Sequence, residues 1–199
     1  MKTINSSTSM TGWVALATGI AIVIAVLNLI LFFTIGMFFG AVNDVFNGVF
    51  AICSTVLAWL LYVEHGAKSP LISRIALALA FIGAIISVVG SILILFDFSG
   101  FFLAGLYSCL GNALIGVWIV AFCYVMQRSG GFPRSLMLFG LVVGVVMALG
   151  LMGIPGILAR IDDMAFMPSY LYAALFGWLG TYVLYPIWTI WLGKYLLVK

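Results

Sequence analysis

The sequence predicts an all-α integral membrane protein built as a bundle of six transmembrane helices. Of its 199 residues, 66% are hydrophobic and 7% are charged, whereas soluble domains carry about 25% charged residues. The apolar residues form six runs, each long enough to cross about 30 Å of hydrocarbon. The predicted helices cover about residues 12–39, 45–63, 72–96, 102–126, 135–154 and 169–197.

The first helix follows a polar segment, residues 1–11, which we interpret as a cytoplasmic N-terminal tail. The apolar run after it is too long for a signal-peptide core, so the sequence predicts a retained helix and one transmembrane domain over residues 12–199. Turn-forming residues separate the helices. These breaks are Asn43-Asp44, Gly66 to Pro70, Ser99-Gly100, Ser129 to Pro133 and Pro155-Gly156.

The last two helices are joined by Ile154 to Met167, which mixes apolar residues with Arg160, Asp162 and Asp163. This mixture is typical of a short helix lying in the membrane interface. Such a helix could cover a cavity or serve as a passive connector. In the sixth helix, Pro186 removes a backbone donor and predicts a kink.

The basic residues predict the orientation, because lysine and arginine near helix ends stay on the cytoplasmic side. Of the two sets of alternating segments, one contains a single basic residue, Arg160. The other contains Lys2, Lys68, Arg74, Arg128, Arg134, Lys194 and Lys199. We therefore expect both termini in the cytoplasm. The scattered net charge of +3 forms no basic patch, so we expect no nucleic-acid partner.

Polar and aromatic side chains within the predicted helices are the candidates for a binding site, because such groups are costly in hydrocarbon and usually face protein or a cavity. One interpretation is a small polar cavity that opens outward; the other is hydrogen bonding between helices. The candidate cavity-lining residues are Asn28, Thr55, Ser87, Asn112, Trp178, Tyr182 and Tyr185.

Three of these candidates, Trp178, Tyr182 and Tyr185, are spaced four and three residues apart, which places them on one face of the sixth helix. They lie too deep to belong to the aromatic belts at the membrane surfaces. A face of this kind suits a lipid or hydrophobic ligand as well as helix packing.

Four acids, Asp44, Asp97, Asp162 and Asp163, are predicted on the outer side. Their spacing resembles no calcium loop. We expect Asp44 to cap the second helix and Arg160 to pair with another acid, so we predict no metal site. No ionisable residue is predicted deep in the bilayer.

The sequence lacks the residues that cofactor binding or enzymatic catalysis would require. His65 is the only histidine, so one chain cannot build a bis-histidine haem site. Cys53, Cys109 and Cys123 lack zinc-ligand spacing, and no nucleophile is paired with a base. We expect no cofactor and no enzymatic activity.

Helix packing is predicted at two pairs of small residues, Gly36 with Gly40 and Gly140 with Gly144. Glycines four residues apart allow two membrane helices to approach closely.

Two stretches, GFPRSLMLFGLVVG (Gly131–Gly144) and YPIWTIWLGK (Tyr185–Lys194), resemble segments of small uncharacterised bacterial multi-pass membrane proteins. The resemblance covers the fifth helix and the end of the sixth. It implies a bacterial inner membrane and carries no activity.

Two functions remain open from the sequence. The first is a non-enzymatic accessory or structural subunit that packs against partner helices, associates with itself, or binds membrane lipid or a hydrophobic ligand. The alternative is a small channel or transporter for a neutral or weakly cationic solute, using the outward polar cavity.

Overall fold

The computed structural model describes residues 6–198, and all regular structure in this range is helical. Six of its helical segments are long and apolar enough to cross a membrane. The helices are α1 (Ser6–Thr34), α2 (Met37–His65), α3 (Pro70–Leu95), α4 (Phe101–Ser129), α5 (Arg134–Ala148), α6 (Ile154–Leu158), α7 (Leu171–Leu179) and α8 (Tyr185–Val198).

The fifth and sixth spans are composite. A 3-10 turn, Leu149–Gly153, joins α5 to α6, and a π-helical turn, Gly180–Leu184, joins α7 to α8. The π turn ends directly before Tyr185-Pro186. Since proline lacks the N–H that would continue an α-helical ladder, a local change of helix type is its expected consequence.

The first turn differs from the prediction at Asn43-Asp44. The chain reverses at Ile35-Gly36 instead, where Gly36 has φ 156°, and Asn43 and Asp44 lie inside α2. Apolar residues continue across this turn, so hydropathy gives no break there. The expectation that Asp44 caps the second helix is therefore wrong, because Asp44 lies seven residues after Met37.

Sequential helices pack side by side, and α8 contacts α1 to close the bundle. The fourth span is the most buried of the six. Tyr185 and Trp188 are fully buried, and Trp188 packs edge-on against Trp118 of α4. The core around these rings also includes buried residues of α1, α2, α3 and α5.

Glycines set the closest helix contacts. A β-carbon on Gly83 of α3 would lie 2.5 Å from the carbonyl oxygen of Gly111 of α4, and one on Gly144 of α5 would lie 2.6 Å from that of Gly116. Gly140 also lies at a helix contact, so the predicted pair Gly140 and Gly144 is confirmed. Gly36 is wrong as a packing residue, because it lies in the first turn.

The two ends of the bundle carry different charges. The turns α1–α2, α3–α4 and α6–α7 form what we call the acidic end, which carries Asp97, Asp162, Asp163 and Arg160. The opposite, basic end carries Lys68, Arg74, Arg128, Arg134 and Lys194. Lys2, Lys199 and residues 1–5 of the predicted tail lie outside the described residues, whereas residues 6–11 are already helical.

The predicted connector, residues 154–167, contains the short helix α6, which continues the fifth span, and one 3-10 turn, Met164–Phe166. Asp162 accepts hydrogen bonds from the backbone N–H groups of Gly100 (2.7 Å) and Leu103 (3.0 Å), so it caps the start of α4. Asp163 accepts one from the N–H of Ala165. Within residues 6–198 no acid lies within 4.0 Å of the Arg160 guanidinium, and the expected ion pair is wrong.

Candidate functional site

A small cavity near the acidic end is the polar site of the bundle. It lies between the first, second, third, fourth and sixth spans. The space open to the centre of a water molecule is about 30 Å³, against roughly 10–15 Å³ needed to hold one water. Its walls comprise Leu29, Asn43, Asp44, Asn47, Gly90, Ile94, Phe101, Ala104, Gly105, Ser108, Trp178 and Tyr182.

A chain of hydrogen bonds forms one wall of this cavity. The Tyr182 hydroxyl donates to Asn47 Oδ1 at 3.1 Å, and Asn47 Nδ2 donates to Asn43 Oδ1 at 3.1 Å. Asn43 Nδ2 in turn donates to the carbonyl of Ala25 in α1 at 2.8 Å. Both asparagines are buried. The chain fixes the sixth span, α2 and α1 relative to one another.

The local backbone positions the two aromatic residues of the cavity. Tyr182 is the central residue of the π turn, a feature that is frequent at functional sites. The Trp178 ring lies against Gly105 of α4, where a β-carbon would come within 3.0 Å of it. Glycine at this position leaves the space that the indole occupies.

The candidate residues from the sequence do not form a single site. Trp178 and Tyr182 line the cavity. The Ser87 hydroxyl donates to Asn112 Oδ1 at 3.1 Å and joins α3 to α4. The Tyr185 hydroxyl donates to Ser54 Oγ at 3.0 Å and joins α8 to α2.

The other two candidates bond within their own helices. Asn28 Nδ2 donates to the carbonyl of Ile24, and the Thr55 hydroxyl donates to the carbonyl of Ala51. The structure thus contains both arrangements considered for the polar residues, a cavity and interhelical hydrogen bonds. Interhelical hydrogen bonds occur in the cavity wall, from Tyr182 to Asn47 and from Asn43 to Ala25, and also outside it, at Ser87 and at Tyr185.

Sequence reasoning missed Asn43 and Asp44 as cavity residues because the pair was interpreted as a turn. The spacing of Asn43 and Asn47 was the available signal, since residues four apart lie on one helix face. Ser108, which also lines the cavity, is on the third turn of α4.

A second, apolar site is an open groove between α2 and α3 with a volume of about 530 Å³. Volumes of roughly 300–1,000 Å³ are typical of small-molecule pockets. Thr55, whose hydroxyl is already bonded to its own helix, is the one polar side chain among the lining residues. These are Ile52, Thr55, Val56, Trp59, Phe81, Ala84, Ile85, Val88 and Val89.

In the described part of the chain, no group of three or more His, Cys, Asp or Glu residues could hold a metal ion. The carboxylates of Asp162 and Asp163 accept hydrogen bonds from backbone N–H groups.

Comparison with protein families, curated proteins and solved structures finds no match.

Proposed function

We propose that this protein is a non-enzymatic subunit of the bacterial inner membrane that holds a lipid acyl chain in the groove between α2 and α3. The observation that carries the proposal is the groove itself, with about 530 Å³ of volume and an almost wholly apolar wall. It lies along the membrane-spanning parts of two helices. At that depth the protein is surrounded by lipid acyl chains.

The wall of the groove favours an acyl chain over a polar solute. Ile52, Val56 and Ile85 are exposed large apolar side chains, and Ala84 between the helices leaves room for a ligand. No charged side chain contributes to the lining. A flexible chain can therefore be accommodated without desolvating a polar group.

The experiment is photo-crosslinking with a phospholipid that carries a diazirine on its acyl chain, followed by mapping of the labelled peptides. Labelling should concentrate on α2 and α3, and Ala84→Phe should reduce it by filling the groove. Val142→Phe is the matched control, because Val142 is exposed on α5 outside the groove.

Uniform labelling around the bundle would contradict the proposal, since it would mean that the groove holds lipid no better than any other surface. If a co-purifying polypeptide protects the groove from the reagent, the groove binds a partner helix and not an acyl chain.

The cavity near the acidic end supports a second candidate, passage of a neutral or weakly cationic solute. In a background without Cys53, Cys109 and Cys123, Ser108→Cys should react with a small water-soluble thiol reagent applied outside. Val143→Cys, fully buried on α5, should not. No reaction at either position would contradict access from outside.

The orientation that we propose places the acidic end outside and both termini in the cytoplasm. The five basic residues of the basic end, against Arg160 alone at the acidic end, support it through the positive-inside rule.

A further inference from the structure

Asp44 is an acid within a membrane-spanning segment. It follows the first residue of α2 by seven positions, which corresponds to about 10 Å along the helix axis. The 29 residues of α2 extend about 43 Å, against about 30 Å of hydrocarbon. If the helix is centred in the bilayer, Asp44 lies roughly 4 Å inside the hydrocarbon boundary.

The described part of the chain supplies no counter-charge to this carboxylate. Asp44 lines the cavity with eleven other residues, none of them Lys or Arg. Within residues 6–198 no basic side chain lies within 4.0 Å of it, and no hydrogen bond to it is present. Asp44 is partly buried. An ionised carboxylate there is costly unless it takes up a proton or meets a ligand of opposite charge.

We propose that the cavity binds one small monovalent cation, with the Asp44 carboxylate as its counter-ion. The oxygens of Asn47, Ser108 and Tyr182 are available at the same walls as additional ligands. A single carboxylate balances a single positive charge, whereas divalent ions are usually held by several carboxylate and carbonyl oxygens. The space of about 30 Å³ admits an ion of the size of one or two waters.

This proposal does not depend on the acyl-chain groove, which lies between other residues, and it requires no transport. It is therefore tested by binding to the full-length protein purified in detergent without added lipid. At constant ionic strength, N-methylglucamine chloride is replaced stepwise by sodium, potassium or ammonium chloride while the Tm is measured. A saturable rise in Tm with at least one of the small cations is expected.

Asp44→Asn should abolish this rise, because it removes the charge while keeping the shape of the side chain. Asp97→Asn is the matched control: Asp97 is an exposed acid of the acidic end outside the cavity, so this variant should retain the full response. Tetramethylammonium is the size control and should produce no rise.

Three outcomes would overturn the proposal. The first is the absence of any saturable rise in Tm in the wild-type protein, and the second is an equal rise in Asp44→Asn. The third is a rise in Tm with added phosphatidylethanolamine but with none of the small cations, which would mean that the positive group belongs to a lipid. If Asp44→Asn does not fold, Ser108→Ala supplies the test. Loss of the Ser108 hydroxyl as a ligand should weaken the apparent affinity for the cation by about tenfold. An unchanged affinity would contradict the site.

Discussion

Tyr182 and Tyr185 both place a hydroxyl group on α2, but the two acceptors differ. Asn47 Oδ1 receives the Tyr182 hydroxyl, whereas Ser54 Oγ receives that of Tyr185 and itself donates to the carbonyl of Phe50. Tyr182→Phe should therefore lower the free energy of unfolding by about 0.6 kcal/mol, as is typical of a membrane hydrogen bond. Tyr185→Phe should cost no more, because Ser54 keeps its own partner.

Unfolding in mixed micelles with increasing SDS would measure both variants. A larger loss for Tyr185→Phe than for Tyr182→Phe would contradict this assignment of the two hydroxyl groups.

Asp162 is expected to stabilise the start of α4 through its carboxylate. Replacing it with Asn leaves one acceptor oxygen but removes the charge that faces two N–H groups at the positive end of the helix dipole. We expect a loss of about 0.5–1 kcal/mol, seen as a lower Tm by calorimetry or a dye assay.

The matched variant is Asp97→Asn, at an exposed position with φ 54°, a conformation that Asn also tolerates. Its Tm should stay close to that of the wild type. An equal loss in both variants would mean that overall charge at the acidic end, and not the cap, determines the effect.

At the residue level, sequence reasoning located Trp178 and Tyr182 among the cavity walls but could not separate them from Asn28 and Thr55. All four are polar or amphipathic groups inside an apolar run. Whether a Thr or Asn bonds its own helix at the preceding turn or a neighbouring helix depends on rotamer and packing. Neither is visible in a single sequence.

Glycine spacing governs the contact between α3 and α4. Gly83→Ala would bring a β-carbon to 2.5 Å from the carbonyl oxygen of Gly111, a backbone atom that cannot rotate away. The helices must then separate, and we expect a cost of about 1–3 kcal/mol, measured by unfolding in SDS.

Gly48 of α2 supplies the comparison, because the nearest atom to its added β-carbon, Ser91 Oγ, would lie at 3.8 Å. Gly48→Ala should change stability by less than about 0.5 kcal/mol. If both variants lose the same stability, the role of Gly83 is not to allow close packing of the α3 and α4 backbones.

The elements themselves were largely predictable, because six long apolar runs leave few alternatives. The first turn was not. Asn43-Asp44 carries the residues of a turn, while Gly36 lies among apolar neighbours. Asn43 donates to the carbonyl of Ala25 in α1 and accepts from Asn47 Nδ2. These bonds hold Asn43 inside a helix, and local turn preference does not include that contribution.

At the scale of the whole molecule, the orientation can be tested with single cysteines in a background without Cys53, Cys109 and Cys123. Ala67→Cys at the basic end and Phe98→Cys at the acidic end are both at exposed positions. With intact cells and an impermeant thiol reagent, only Phe98→Cys should react, because the positive-inside rule retains the basic end in the cytoplasm.

Both positions should react after lysis, which controls for accessibility. Reaction at Ala67→Cys in intact cells would reverse the orientation, and the cavity at Asp44 would then open toward the cytoplasm.

The π turn at Gly180–Leu184 amounts to one residue more than a regular helix needs over the same rise. If residues 180–184 formed a regular α-helix with every residue kept, α8 would be rotated against α7 by about 100°. Gly177 and Gly180 before and within the turn face the fifth span, while Thr189 beyond it faces Gly19 of α1. A regular α-helix through this segment would therefore misdirect one of the two faces. The π-helical conformation of residues 180–184, and not only their identity, is a determinant of this fold.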